Sequence, residues 1–133
     1  MRQLKRGKYV SLNAKTRKVL VVDDDPIIRD MMVDMLEYEG FSLRVARNGL
    51  EALKVLRGNE DYLVFLDVMM PTMGGKEVCE QLEAEPAIRQ RHKIFLMSAL
   101  DKLEEVTSCK VDGIITKPFV VDDVLMVLEE HLE

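Results

Sequence analysis

Four short apolar runs punctuate the chain, and each ends on a polar group. Val19-Leu20-Val21-Val22 runs into Asp23-Asp24-Asp25, and Tyr62-Leu63-Val64-Phe65-Leu66 into Asp67. Ile94-Phe95-Leu96-Met97 ends at Ser98, and Ile114-Ile115-Thr116 at Lys117. A fifth stretch, Phe41 to Val45, alternates apolar and polar residues, as a half-exposed edge strand does. Between the runs the apolar period lengthens to that of a helix. Asp25-Pro26 fits an N-cap and first helical position, and Ile28, Met31, Met32, Met35 and Leu36 follow up to Gly40. Asn48 can cap a second helix bearing Leu50, Leu53 and Leu56, stopped near Gly58. A loop from Pro71 to Gly75 precedes a third helix with Val78, Cys79 and Leu82, ending before Pro86. The segment from Leu100 to Ser108 has the weakest helical pattern. A last helix carries Val121, Val124, Leu125, Leu128 and Leu132.

Five strands alternating with five helical segments predict an α/β fold, a parallel sheet covered on both faces and wound with right-handed crossovers. Continuous apolar runs belong in the centre of such a sheet and the alternating strand at its edge. Of the two common doubly wound orders, the flavodoxin-like 2-1-3-4-5 sets the Asp23 and Asp67 strands side by side at its switch point. Ligands bind beyond the carboxyl ends of such strands. Acid, acid, hydroxyl and ammonium delivered to that edge therefore describe one site.

Three carboxylates, Asp23, Asp24 and Asp67, crowd there. Two carboxylates ~4 Å apart repel by roughly 4 kcal/mol at an effective dielectric near 20. Such a group either raises its pKa values or holds a cation. Oxygen ligands at an open edge suit a hard ion, most naturally Mg2+ keeping several waters. A carboxylate is also a known phosphoryl acceptor. Phosphoryl transfer needs in-line positioning and neutralised oxygen charge more than proton transfer, and Lys117 with Mg2+ would supply the latter. The Ser98 hydroxyl can hydrogen-bond a phosphoryl oxygen.

Val21-Val22-Asp23-Asp24-Asp25-Pro26, Leu66-Asp67-Val68-Met69-Met70-Pro71, Met97-Ser98-Ala99 and Lys117-Pro118-Phe119 follow one another in that order. In these residues the chain resembles a response-regulator receiver domain of two-component signalling, over essentially residues 18–132. The resemblance implies a phosphoprotein in which Asp67 accepts a phosphoryl group from a sensor histidine kinase, a phosphotransfer protein or a small phosphodonor. It implies Mg2+ bound directly by Asp24, Asp67 and the backbone carbonyl of Met69, with Asp23 acting through water. Lys117 would pair with Asp67 and then with the phosphoryl group, while Ser98 moves toward it and reports it to a distant surface. Lys117-Pro118 is by the same resemblance a candidate cis peptide. The protein would be a signalling domain rather than an enzyme, with only slow self-catalysed phosphoryl transfer and dephosphorylation, and its output an unknown downstream protein.

Composition and charge add limits. A chain of 133 residues fits one domain, expected over 18–133, after a basic and flexible extension over 1–17. Residues 1–18 hold seven Lys or Arg and no acid, whereas the remainder holds 12 bases against 24 acids. No apolar run approaches the roughly 18 residues that span a bilayer, and no membrane or direct nucleic-acid role is expected. Cys79 and Cys109 have no metal spacing and, as reduced thiols, favour the cytoplasm. His92 and His131, among charged neighbours, are expected at the surface.

Several positions depart from the family pattern. Gly74-Gly75 occupies a stretch where an acid usually precedes the loop glycine, which should loosen the loop. Met69 and Leu100 are apolar where polar groups are common, and should hinder an attacking water. Ile114 stands at a commonly aromatic switch position. Ser98 and Lys117 are 19 positions apart, about three fewer than usual, removing nearly one helical turn on the usual output face. Dimerisation through the last helix and its neighbouring strand therefore stays open. Two other readings compete. One is a receiver-like interaction module that is never phosphorylated; the other is a haloacid-dehalogenase-like phosphohydrolase with Asp23 as nucleophile.

Overall fold

In the computed structural model, residues 2–3, 9–10, 17–106 and 109–131 are described. The five runs form one parallel sheet from β1 (Lys18–Val22), β2 (Leu43–Ala46), β3 (Tyr62–Asp67), β4 (Lys93–Ala99) and β5 (Gly113–Lys117). Its order is β2-β1-β3-β4-β5, as the pattern predicts. Every residue of β3 is buried. Alternate strand residues feed two cores. Leu20, Val22, Val64, Leu66, Ile94 and Leu96 pack on one face; Val19, Val21, Leu63, Phe65, Phe95 and Met97 pack on the other. Covering both faces is what makes the runs continuous rather than alternating.

Helices α1 (Pro26–Tyr38) and α5 (Val121–His131) cover the second face through Met32, Leu36, Val124, Leu125 and Leu128. Helices α2 (Gly49–Leu56) and α3 (Gly75–Glu83) cover the first through Ala52, Leu53, Leu56, Val78, Cys79 and Leu82. Asp25 caps α1, its carboxylate accepting from Ile27 N at 2.9 Å, and Asn48 caps α2, accepting from Glu51 N at 3.0 Å. Helix α3 stops before Pro86, as expected, and a separate one-turn helix, α4 (Pro86–Arg89), follows it. The weakly patterned segment is a 3-10 helix, Leu100–Val106. Side chains crowd at three residues per turn, so no long amphipathic face forms.

Some expected core positions face solvent: Met31, Leu50 and Val121 are all exposed. The edge strand starts at Leu43, and Phe41 is buried just before it. Leu132 lies outside the described residues. So does most of the basic N-terminal extension, of which Arg2–Gln3 and Tyr9–Val10 form an antiparallel pair.

The expected surface placement of His92 is wrong. Its ring is buried, because it bridges two elements. Nδ1 accepts from Tyr62 N at 3.0 Å, so Nε2 carries the proton and donates to Leu56 O at 2.9 Å. The His92 ring thus ties the first residue of β3 to the last of α2. The flanking Arg91, which made the segment look exposed, binds Gly58 O at 2.6 Å and Asp61 Oδ1 at 3.1 Å. His131 is half-buried, its ring centroid 4.9 Å from that of Phe95.

Candidate functional site

The site lies where β1, β3, β4 and β5 end. Asp23 directly follows β1, and its N–H donates to Ala46 O at 3.2 Å, prolonging the ladder. That pins a carboxylate inside the fold: Asp23 is fully buried. Its Oδ1 accepts from Asp25 N at 2.9 Å, and the Arg29 guanidinium donates to its backbone carbonyl at 2.9 Å. Asp24 points outward and is exposed. Asp67, the last residue of β3, pairs in register with Met97 and is only 6% exposed. One carboxylate oxygen from each of Asp23, Asp24 and Asp67 lies within 4.8 Å of the others.

Lys117, the last residue of β5, reaches between the two buried acids. Its Nζ stands 3.1 Å from Asp67 Oδ1 and 3.2 Å from Asp23 Oδ2. Burial pushes the Asp67 carboxyl up to about 6, with Asp23 and more weakly Asp24 adding to the rise against the pull of Lys117. Burial opposes the charge of Lys117, but Asp67 and Asp23 outweigh it and hold its pKa above the ordinary value. One ammonium for three carboxylates leaves the cluster negative and chemically suited to a hard divalent cation. The outward Asp24 has a carboxylate free to face such an ion.

Ser98 is buried on β4, in register with Thr116, and its hydroxyl donates to Ala99 O at 3.1 Å. The structure thus brings Asp23, Asp24, Asp67, Ser98 and Lys117 to one sheet edge, and the Lys117-Pro118 peptide is cis. Met69 and Leu100 follow Asp67 and Ser98 and are 57% and 70% exposed. Arg29, which holds the Asp23 carbonyl, is the member of this neighbourhood that sequence alone missed. Its spacing from Asp23, six residues on across a helix start, was the available signal.

The loop after Asp67 is shaped by close approach rather than loosened. A Cβ on Gly74 would strike the Val68 carbonyl oxygen, and one on Gly75 would lie 2.7 Å from Asp67 O. Thr72 adopts a φ of 72°, a left-handed conformation uncommon for a residue with a Cβ.

Comparison with known proteins agrees with this geometry. Residues 19–129 match the model of the response regulator receiver domain family, and the chain belongs to that family. It is 34% identical over 111 residues to the response regulator MprA of Mycobacterium sp. (strain KMS), a match covering 81% of this chain and 47% of that protein. The chain spans about half the length of the curated relatives it matches. Among solved structures it resembles the response regulator TrrA of Thermotoga maritima in complex with Mg(2+)-BeF. The TM-score is 0.73 at 33% identity, over 86% of this chain and 97% of that one. It also resembles the receiver domain of a signal transduction histidine kinase from Syntrophus aciditrophicus. There the TM-score is 0.78 at 28% identity, over 87% and 89% of the two chains.

Residues 19–129 therefore form a two-component receiver domain with a flavodoxin-like fold, a class of domain that serves signalling. Receiver domains bind Mg2+ at an aspartate cluster, and this chain carries such a cluster. Among the described residues no helix is long and apolar enough to cross a membrane. The phosphohydrolase reading gains nothing: Asp23, its required nucleophile, is buried with both carboxylate oxygens engaged.

Proposed function

We propose that this chain is a phosphoacceptor switch in which Asp67 takes a phosphoryl group from a sensor histidine kinase, a phosphotransfer protein or a small phosphodonor. The observation that carries this is one buried carboxylate at a central strand end, grouped with two other acids and held 3.1 Å from an ammonium. With a pKa of about 6, Asp67 is mostly ionised at neutral pH and can act as nucleophile. Its oxygen attacks phosphorus in line, and the bond from phosphorus to the donor nitrogen or oxygen breaks.

Asp24, Asp67 and the Met69 carbonyl would hold Mg2+ directly and Asp23 through water; the bound ion supplies neutralisation of phosphoryl oxygen charge. Lys117 transfers its ion pair from the Asp67 carboxylate to the phosphoryl group. Phosphorylation brings about −1.5 to −2 charges. Ser98 then exchanges the Ala99 carbonyl for a phosphoryl oxygen, biasing the β4–β5 side of the sheet toward a second arrangement. Moving such an equilibrium from 1:99 to 99:1 takes about 5.5 kcal/mol, within reach of a few charge-assisted hydrogen bonds.

The output is a contact with another protein. Shortening between β4 and β5 makes that contact surface unlike the usual one. Receiver chemistry occupies 18–133, and the basic 1–17 segment is an extension outside it. Reductive trapping tests the acceptor. Borohydride treatment of the phosphorylated chain should convert residue 67 to homoserine, and conversion at Asp23 or Asp24 instead would refute the assignment.

A further inference from the structure

Asp24 is exposed, yet the backbone on both sides of it is held. The Asp23 carbonyl, in the peptide before Asp24, accepts from the Arg29 guanidinium Nη1 at 2.9 Å. The Asp25 N–H, in the peptide after it, donates to Asp23 Oδ1 at 2.9 Å. Peptide units are planar, so pinning the two that flank Asp24 sets both of its backbone dihedrals. Asp23 itself is anchored further. Its N–H donates to Ala46 O at 3.2 Å, and its Oδ2 accepts from Lys117 Nζ at 3.2 Å. Arg29 is the anchor that comes from a side chain outside the cluster of acids and lysine, and it is half-buried.

The start of α1 explains how Arg29 reaches. Asp25 caps the helix, Pro26 opens it, and the Arg29 N–H donates to Asp25 O at 3.0 Å. Side chains on a helix lean toward its N-terminus. A long donor in this first turn therefore returns over the cap to a carbonyl six positions earlier, and a short one does not.

We infer that Arg29 is a positioning residue for the phosphoacceptor site, holding the peptide between Asp23 and Asp24 so that the Asp24 carboxylate is set in place for Mg2+. The inference rests on the reading of Asp24 as a direct Mg2+ ligand. An acid on a loose backbone must be ordered when an ion binds, and that ordering detracts from affinity. Arg29 does part of the ordering beforehand. Groups that orient metal ligands change metal affinity by about 10- to 100-fold when replaced. Charge alone has the opposite effect. A guanidinium near a cation site repels the cation, so removing a purely electrostatic Arg29 would tighten Mg2+ binding. The sign of the change separates the two roles.

The test is isothermal titration calorimetry with MgCl2 on the full unphosphorylated chain, beside Arg29→Met, Arg29→Lys and Asp24→Asn. Arg29→Met is expected to weaken Mg2+ binding by roughly five- to twentyfold. Arg29→Lys, which keeps the charge and one donor, should fall between. Urea unfolding without Mg2+ establishes that each variant is folded. Labelling with acetyl phosphate gives a second readout. The rate deficit of Arg29→Met should close as Mg2+ is raised to saturation, whereas a merely structural loss would persist.

Arg29→Met that binds Mg2+ as tightly as the unaltered chain, or more tightly, would overturn the proposal. So would a rate deficit that saturating Mg2+ leaves in place. Should Arg29→Met not fold, Arg29→Lys decides alone, because it changes the donor geometry at constant charge: weaker binding supports the proposal and equal binding overturns it. Failure of the underlying reading looks different. Mg2+ bound equally by the unaltered chain and Asp24→Asn, or by neither, would overturn the ligand assignment and the role of Arg29 with it.

Discussion

The ammonium of Lys117 stands 3.1 Å from Asp67 and 3.2 Å from Asp23, 50 and 94 positions away in the chain. It is placed between two buried acids. Removing one partner of a buried pair costs about 3–5 kcal/mol, and the Lys117 side chain is a quarter exposed, so the loss here should be smaller. Lys117→Met is expected to lower unfolding free energy in urea at neutral pH by about 1–3 kcal/mol, with part restored by Mg2+. An unchanged midpoint would mean that the acids already lie protonated.

Gly74 permits the turn that follows β3, since a Cβ there would strike the Val68 carbonyl. Backbone cannot step aside as a flexible side chain can. Gly74→Ala should therefore cost about 1–3 kcal/mol, despite removing a flexible residue from the unfolded chain. Gly74→Asp, which sets an acid before the loop glycine, should be at least as costly. Equal or higher stability in either variant would show that the loop has another conformation open to it.

Burial holds the His92 pKa below 6.5, helped by Arg91 and Arg89 and opposed by its bond to the Leu56 carbonyl and by Asp61. The unfolded chain takes up a proton near pH 6.5 that the folded chain refuses. Stability from neutral His92 is thus complete above 6.5 and falls as pH drops from there to the folded pKa. Urea unfolding from pH 7.5 to 5 should show this slope, and His92→Asn should lack the His92 share of it. Parallel profiles for the two proteins would contradict the buried neutral ring.

Met69 and Leu100 expose apolar side chains beside Asp67 and Ser98. With Asp67 phosphorylated, they should slow the approach of water. Met69→Asn combined with Leu100→Ser is expected to shorten the phosphoryl half-life by roughly three- to tenfold, up to about 1.4 kcal/mol of barrier. Decay followed by intact mass measures it; no change would remove both side chains from any shielding role.

The central strands and their terminal polar groups were legible because continuous burial leaves a local mark: four unbroken apolar runs, each closed by a polar residue, beside one alternating edge strand. The grouping of Asp23, Asp24, Asp67, Ser98 and Lys117 followed from strand order alone. What escaped the sequence depends on contacts far apart in the chain. His92 looked solvent-facing between Arg91 and Lys93, yet its partners are Leu56 and Tyr62, 36 and 30 positions away. Cys79 and Cys109 join one apolar cluster because α3 and the approach to β5 share one face. Met31, Leu50 and Val121 matched the helical period, but each helix buries a narrower stripe than its apolar residues would fill. The Gly74–Gly75 pair suggested freedom, where the structure uses it for close contact.

The central claim is that Asp67 accepts phosphate with Mg2+. The most direct measurement is intact mass after incubation with acetyl phosphate, with and without Mg2+, for the unaltered chain and Asp67→Asn. The account predicts one added phosphoryl group on the unaltered chain, only with Mg2+, and none on a folded Asp67→Asn. Equal modification of both proteins, or none in the unaltered chain even with its phosphorylated kinase partner, would contradict it.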